Sequence, residues 1–420
     1  KLPAYVTAIK SVRQPFLPSS EIFRLMGTFR QMVNDCIRIG LEHDVSATQQ
    51  LCRLAYRELA RHDIISYYKL GAISHAAGIL ANRKKSIKRG LKPKRPFAAR
   101  PLLLTCYGFK IVNGTLRIAL GSKRYFDLSL NSHVLNVLSH DSFRIRSFTL
   151  TIDSLSICYS KEIQELKCTK VDGIDRNLRN LTAGNRYSTI QYDISKAVDI
   201  AENTRSIQRS IKRNNVRIRR KLYQKYGLRK KYRRNQLLNR LTKAIVLHAK
   251  QNKSAIAFED IRHIRRLYQK GNYQRHNYRN RLNSWSFSEV KHQIEYKAKW
   301  EGIPVIQLTK GETRGTSQLC PQCGKRITQV DRKFRQLWCA ECKKWMDRDV
   351  VAAMNISIKG LQRFCSSKGL AGEAMRGNPT TPVILRVDAS KLAFRRRDLK
   401  CRQNPTQLYS ISEANADVPR

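Results

Sequence analysis

The chain has 420 residues, 41 % of them apolar, which is enough for a real core spread over roughly two to four domains. Its 82 Lys and Arg against 31 Asp and Glu give a formal charge of +51, which repels itself unless a polyanion neutralises it; nucleic acid is the partner class this favours, with a ribosome-like basic protein as the plainer alternative. No run of about 18 apolar residues predicts a membrane span, no signal-peptide pattern is read, and of eleven cysteines the seven outside a metal-type spacing are scattered without pairing logic, which suits a reducing cytoplasm rather than a disulfide framework.

Residues 4–12 read as a strand. From Ser20 to Ile87 the pattern is helical: Ser20 caps an apolar series of Ile22, Phe23, Met26, Phe29, Met32 and Val33, and two further helices are predicted over 48–61 and 66–87. A basic linker with Pro93 and Pro96 follows. Phe109 and Ile111, then Asn113-Gly114, then Leu116, Ile118 and Leu120 predict a hairpin. Residues 143–152 and 155–160 alternate again, so a helical block is inserted in a small β domain. Beyond Lys170, strands are predicted at Val171–Asp175 and Ser188–Ile194. A long basic helical pair comes next, with Ile207, Ile211, Ile218 and Leu222 on one face, Leu237, Leu241 and Ile245 on another, and Gly227 as the turn. The strand Ala255–Phe258, a polar aromatic segment 262–281, a helix Ser286–Trp300 and a strand Pro304–Leu308 lead to a cysteine module and a closing helix 349–359. The tail beyond Gly360 reads as mostly irregular.

Cys320-x-x-Cys323 and Cys339-x-x-Cys342 have fifteen residues between the pairs. Each C-x-x-C turn presents two thiolates, and two turns facing each other close a tetrahedral Zn²⁺ site of ribbon type; a redox C-x-x-C pair is the alternative. Four sulfurs leave no open position, so such an ion would be structural.

Three acids sit where chemistry is expected. Asp175 ends a short apolar strand, Glu259 follows the apolar strand Ala255–Phe258, and Asp349 opens a helix. Carboxylates converging from strand ends and a helix start suit an RNase H-type centre, where Mg²⁺ ions support attack on a phosphate. Each acid also has a plain structural reading, as turn residue, strand-end charge or N-cap.

Between Glu202 and Glu259 there are 18 Lys and Arg and no acid. Arg213, Arg217, Arg220, Lys221, Arg229, Lys230, Lys231, Arg233 and Arg234 crowd the helical pair, as a phosphate-binding surface would require. Tyr223, Tyr226 and Tyr232 are interleaved with them, and Tyr268, Tyr273 and Tyr278 follow; such rings either stack on unpaired bases or pack between helices.

Several segments together resemble TnpB (OrfB), the RNA-guided nuclease of small insertion sequences, which is similar to the compact type V CRISPR effectors. They are Gly173-Ile174-Asp175, Ile256-Ala257-Phe258-Glu259-Asp260-Ile261, Tyr296-Lys297-Ala298, Gly302-Ile303-Pro304-Val305, Thr316-Ser317-x-x-Cys320-Pro321-x-Cys323-Gly324, and Asp347-Arg348-Asp349 leading to Ala352-Ala353-x-Asn355-Ile356. Order and spacing match from about 170 to 360. The resemblance implies a mixed α+β, bilobed chain. Residues 1–18 and 93–168 would be a β-barrel wedge and 19–92 a helical recognition domain. Residues 169–312 and 345–360 would be an RNase H-like (RuvC) nuclease, 313–344 a zinc ribbon that binds target nucleic acid, and 361–420 an irregular tail. It implies a catalytic trio of Asp175, Glu259 and Asp349 on Mg²⁺, with Asp349 preferred to Asp347. It implies a guide RNA from the element's own end, target double-stranded DNA with a short flanking motif, and one chain per guide RNA in a prokaryotic, nucleoid-associated setting. Contacts to the flanking motif are expected from Lys69, Lys84 and Lys85, and a lid from 262–281. Two positions depart from the family pattern: Asn177 stands where Gly is usual and Val351 where Asn is usual. A nuclease-inactive RNA-guided regulator and a structural RNA-binding ribbon protein remain as alternatives.

Overall fold

The computed structural model describes residues 5–121, 124–212, 215–261, 276–331, 335–368 and 383–392. The chain divides into two compact units, Lys1–Gln164 and Glu165–Arg420. Among the described residues no helix is long and apolar enough to cross a membrane.

The first unit opens with β1 (Tyr5–Pro15), then α1 (Ser20–Glu42), α2 (Thr48–Glu58) and α3 (Ser66–Lys88). Helix α1 is capped one residue earlier than the sequence predicts: Ser19 Oγ accepts from the Ile22 amide at 3.3 Å. Ile22, Met26, Phe29, Met32 and Val33 form the buried stripe, whereas Phe23, counted in the predicted apolar series, lies off it and is 50 % exposed. Strands β2 (Leu102–Thr105), β3 (Phe109–Val112), β4 (Thr115–Gly121) and β5 (Arg124–Ser129), helix α4 (Ser132–Leu138), and strands β6 (Arg144–Thr151) and β7 (Ser154–Gln164) complete the unit. Asn113 and Gly114 both take left-handed φ values, 49° and 74°, so the β3–β4 hairpin turns as predicted. The ladders form an open four-stranded sheet, β1-β7-β6-β2, and a three-stranded meander, β3-β4-β5. The Gln14 carboxamide joins them, donating to the Ser129 carbonyl and accepting from the Asn131 amide, each at 3.0 Å. Among the described residues these are two sheets, and their ladders do not close into the expected barrel.

The second unit is built on a six-stranded sheet of order β12-β11-β8-β9-β10-β16. Its elements are β8 (Lys170–Arg176), β9 (Asn180–Gly184), β10 (Ser188–Asp193), α5 (Ser195–Ser210), α6 (Val216–Gln251), β11 (Ser254–Phe258), α7 (His276–Ser284), α8 (Phe287–Trp300), β12 (Val305–Gln307), α9 (Lys310–Thr313), β13 (Thr328–Asp331), β14 (Gln336–Cys339), β15 (Lys344–Asp347), α10 (Arg348–Lys368) and β16 (Val383–Asp388). Strands β8, β11 and β12 run parallel, while β9 is antiparallel to β8 and β10.

Side chains alternate across the two faces of this sheet. On one face Ile174, Ile256 and Phe258 join Leu237, Leu241 and Ile245 of α6 and Val290 and Ile294 of α8 in the larger core. On the other face Val171, Ala255 and Ala257 pack with Ile356 and Phe364 of α10. Gly173 lies on this second face. A Cβ there would come within 2.2 Å of the Ala353 carbonyl oxygen and 2.4 Å of the Ser357 nitrogen, so α10 rests directly on the β8 backbone. Ser357 Oγ fixes the seat by donating to the Val171 carbonyl at 2.6 Å.

Three further points differ from the sequence reading or add to it. Gly227 is not a turn: α6 runs unbroken through it from Val216, capped by Asn215, whose Oδ1 accepts from the Ile218 amide at 3.0 Å. One glycine costs a helix interior about 1 kcal/mol, which propagation over strong helix formers and packing of the C-terminal half outweigh. Strand β9 escapes the sequence reading because Thr182, Ala183 and Gly184 lack a β-type pattern. The region beyond Gly360 is not uniformly irregular, since α10 continues to Lys368 and β16 pairs in parallel with β10 at the sheet edge.

Candidate functional site

Strands β8 and β11 are in register with Ile174 opposite Phe258, so Asp175 and Glu259 occupy equivalent positions at the carboxyl ends of adjacent parallel strands. That edge is where open α/β sheets form their ligand crevices. Asp175 shares the face of Val171 and Gly173, the face that carries α10, and Asp349 lies in the first turn of that helix. Asp347 is the helix cap: its Oδ1 accepts from the amides of Asp349 at 2.8 Å and Val350 at 3.2 Å. The two aspartates of Asp-x-Asp thus have different jobs, and the capping role belongs to Asp347.

Asp175 and Asp349 are 8 % and 2 % exposed, and the Glu259 side chain 13 %. The Asp175 carboxyl is pushed well above its ordinary value, first by burial and then by the charges of Glu259 and Asp349. Burial also raises Glu259, opposed by the Arg176 guanidinium. The charges of Glu259 and Asp349 thus both act on the Asp175 carboxyl.

Residues to which the sequence reading gave no supporting role hold these acids. Asn177 Nδ2 donates to Asp175 Oδ2 at 2.6 Å, and Asn180 Nδ2 donates to Asp349 Oδ2 at 2.9 Å. Both amides come from the tight β8–β9 turn, in which the Asn177 amide donates to the Asn180 carbonyl at 3.0 Å. Arg176, packed 5.2 Å over the Phe258 ring, donates from Nη2 to the Glu259 carbonyl at 3.0 Å and from Nη1 to the Phe287 carbonyl at 3.2 Å. Gln307 Nε2 donates to the same Glu259 carbonyl at 3.1 Å. Arg335, which precedes β14, donates to Asp349 Oδ1, and its carbonyl accepts from the Arg348 amide at 3.0 Å. The departure at Asn177 therefore supplies a hydrogen bond to Asp175. The other, Val351, is fully buried against Cys320, Ile327, Leu337 and Cys339, where an Asn would need polar partners. A further buried acid, Asp172, lies on the opposite face with Asn185 at 2.7 Å and His248 at 3.9 Å, away from this centre.

The donor set suits a hard divalent cation. Three carboxylates share a buried neighbourhood, and Asn180 Oδ1 is a buried acceptor without a hydrogen-bond partner beside Asp349. As placed, the three acids do not form a closed cage, and the Asp349 carboxylate accepts from Arg335 as well as Asn180.

The four cysteines are already gathered. Cys320 Sγ lies 3.7 Å from Cys342 Sγ, and Cys323 Sγ lies 3.6 Å from Cys339 Sγ, with all four sulfurs within 4.8 Å of one another. A tetrahedron with Zn–S bonds of about 2.3 Å has edges of about 3.8 Å, so the cluster has the dimensions of a Zn²⁺ site. Among the described residues it is the one group of His, Cys, Asp or Glu drawn together tightly enough to hold an ion as placed. The Cys342 thiol is pushed up to about 12, chiefly by its contact with Cys323 and then by burial. Both knuckles turn through left-handed residues, Gly324 at φ 71° and Lys343 at φ 49°. The expected result of Cys339→Ala is loss of bound zinc and local unfolding of β13–β15, read as zinc stoichiometry and protease sensitivity; full zinc retention would contradict the assignment.

The basic residues divide. Arg217, Arg220, Lys221, Arg229, Lys231 and Arg233 are exposed along α6, free to meet phosphate. Lys230 and Arg234 are half-buried, and Arg234 Nη1 donates to the Ser284 carbonyl at 2.6 Å. Arg213 lies outside the described residues, as do Tyr268, Tyr273 and most of the expected lid 262–281. Tyr223 is a packing residue, donating to the Gln208 carbonyl at 2.8 Å under the Arg219 guanidinium, and Tyr226 is half-buried. Tyr232 and Tyr278 stay exposed. In the first unit Lys85 is exposed, Lys69 is half-buried and Lys84 is paired with Asp44 at 3.1 Å.

Comparison with known proteins gives a consistent setting. Residues 287–356 match a family model described as Cas12f1-like, TNB domain. A TnpB-like protein of Methanocaldococcus jannaschii is 28 % identical over 266 residues, covering 60 % of this chain and 92 % of that protein. A protein of Streptomyces pristinaespiralis, named provisionally as an RNA-guided DNA endonuclease, is 25 % identical over 207 residues, 48 % of each chain. Among solved structures, Cas12f1 in a cryo-EM complex with single-guide RNA and target DNA superposes with a TM-score of 0.58 at 14 % identity, covering 81 % of this chain and 83 % of that one. That likeness shows a shared mixed α/β fold.

Proposed function

We propose that this chain, which is similar to a TnpB-like protein and carries a match to a Cas12f1-like TNB domain, is an RNA-guided DNA endonuclease with a RuvC-type centre at Asp175, Glu259 and Asp349. The observation that carries the reading is the placement of these acids on one face, at the ends of two adjacent parallel strands and the first turn of the helix packed on them. They would hold Mg²⁺, which when bound activates water and stabilises the leaving oxygen of a phosphodiester. The protein's own part is orientation. Asn177 and Asn180 fix the carboxylate rotamers of Asp175 and Asp349, while Arg176 and Gln307 fix the backbone at Glu259. Arg335 would exchange Asp349 for a substrate phosphate as the strand enters.

The four cysteines would hold a structural Zn²⁺, and the exposed bases of α6 would line guide RNA or target DNA. Sequence choice would rest on pairing between guide and one DNA strand, with the protein reading a short flanking motif. The domain limits given above are part of this proposal. The test is to sequence the RNA that copurifies with the chain and offer a duplex complementary to it. Mg²⁺-dependent cutting of that duplex is expected. Guide-dependent binding with no product would favour a binding-only regulator, and no complementary binding would favour a structural RNA-binding protein.

A further inference from the structure

The ribbon sheet β13-β14-β15 has two unlike faces. Leu337 and Cys339 turn inward to the apolar cluster around the cysteines, with Met346 packed against them. The register sets Trp338 directly opposite Trp345, on the other side of the sheet. Their ring centroids are 5.3 Å apart with planes inclined at 52°. Cross-strand pairing explains one side of the Trp345 ring, yet the residue stays 53 % exposed on the edge strand. A half-exposed tryptophan on so small a module leaves a large aromatic surface in water, and its surroundings are basic. From Cys320 to Trp345 the sequence holds seven Lys and Arg against Asp331 and Glu341, and Lys325, Arg326, Lys343 and Lys344 are exposed.

The position is as informative as the chemistry. Strand β15 runs straight into α10, so Trp345 precedes Asp349 by four residues of continuous chain. Even fully extended, that span is at most about 14 Å, the reach of roughly two or three nucleotides of single strand. An aromatic face flanked by cations at that distance from a phosphodiester-cutting centre fits an unpaired base next to the scissile linkage.

We propose that Trp345, braced by Trp338, is a stacking platform for an unpaired base of the single DNA strand that enters the carboxylate centre. This deepens the nuclease reading and rests on it for the identity of the strand, while the platform itself is tested without cleavage. The full chain with its copurifying RNA is titrated, in buffer without added Mg²⁺, with three labelled ten-nucleotide probes: oligothymidylate, an abasic strand of equal length, and oligouridylate. Stacking of one base is worth about 1–3 kcal/mol, or roughly 5- to 150-fold in affinity. The wild type is expected to hold oligothymidylate at least about fivefold tighter than the abasic strand. Trp345→Ala should erase that difference while leaving abasic binding unchanged, and Trp345→Phe should keep most of it. Zinc content, measured in parallel, monitors the fold.

Unchanged oligothymidylate binding by Trp345→Ala would overturn the platform. So would equal loss on both DNA probes, which would mark a structural role, and so would a Trp345 dependence confined to oligouridylate, which would mark an RNA contact. A chain that shows the Trp345-dependent difference but never cuts a guide-matched duplex would leave the platform standing and remove the nuclease reading.

Discussion

Asp175→Ala should abolish cutting of a guide-matched duplex while leaving guide and target binding in place. The expected loss is on the order of 10⁴-fold or more in single-turnover rate, the scale seen when one member of a cooperative catalytic set is removed. The structure also predicts the direction of a second effect. In the folded chain the Asp175 and Glu259 carboxyls lie above their ordinary values of 3.8 and 4.5, raised mainly by burial and, for Asp175, also by the neighbouring acids. The folded state therefore binds protons that the unfolded state releases. The contribution of these groups to stability is greatest below the unfolded values and falls as pH rises through the folded ones. Removing the Asp175 carboxylate should then make the metal-free protein more stable at neutral pH, on the scale of about 1 kcal/mol common when a functional site is relieved. Lost cutting together with a raised denaturation midpoint separates a catalytic acid from a merely structural turn residue. A less stable, still active variant would put Asp175 in the second class.

Gly173→Ala should be nearly as damaging, although the residue touches no substrate. The added Cβ would lie 2.2 Å from the Ala353 carbonyl oxygen, 2.4 Å from the Ser357 nitrogen and 2.9 Å from Ile356 Cβ. Two of these three atoms are backbone, so relief requires α10 to move. Overpacking of this kind costs about 1–3 kcal/mol or more. A shift of roughly 1 Å at α10 carries Asp349 with it, and a misplacement of that size costs about 10²-fold in rate. Chemical denaturation and single-turnover cleavage should therefore fall together, with zinc content unchanged because the cysteines lie outside this contact. Wild-type activity in Gly173→Ala would show that the seat of α10 on β8 does not set the carboxylate geometry.

The parts of this protein that were legible in its sequence are those whose physics is local. The Asn113-Gly114 turn, the alternation in β6 and β7, the apolar run of β11 and the two C-x-x-C knuckles all follow from residue type and short spacing. So does the location of Asp175 and Glu259, because the apolar or small residues Val171, Gly173 and Ile174 mark β8, the apolar run Ala255–Phe258 marks β11, and each acid directly follows its set. What escaped depends on contacts distant in sequence. Asn180 gains its role only because α10, 169 positions later, brings Asp349 to it. Arg335 meets Asp349 across the ribbon hairpin. Val351 makes sense only once the ribbon core is seen around it. Strand β16 does carry a local signal, the apolar and β-branched run Val383-Ile384-Leu385 with Val387, which went unread within the tail beyond Gly360 and pairs in parallel with β10. Gly227 failed in the opposite sense, since a local turn signal was overruled by the helix on both sides of it.

A nuclease centre here requires that Asp175, Glu259 and Asp349 share a divalent ion. The most direct measurement is anomalous diffraction from crystals of the protein bound to its guide and target and soaked in Mn²⁺ as a stand-in for Mg²⁺. The expected result is anomalous density among the three carboxylates, with Arg335 drawn off Asp349. Density confined to other sites, with Arg335 still seated on Asp349, would contradict it.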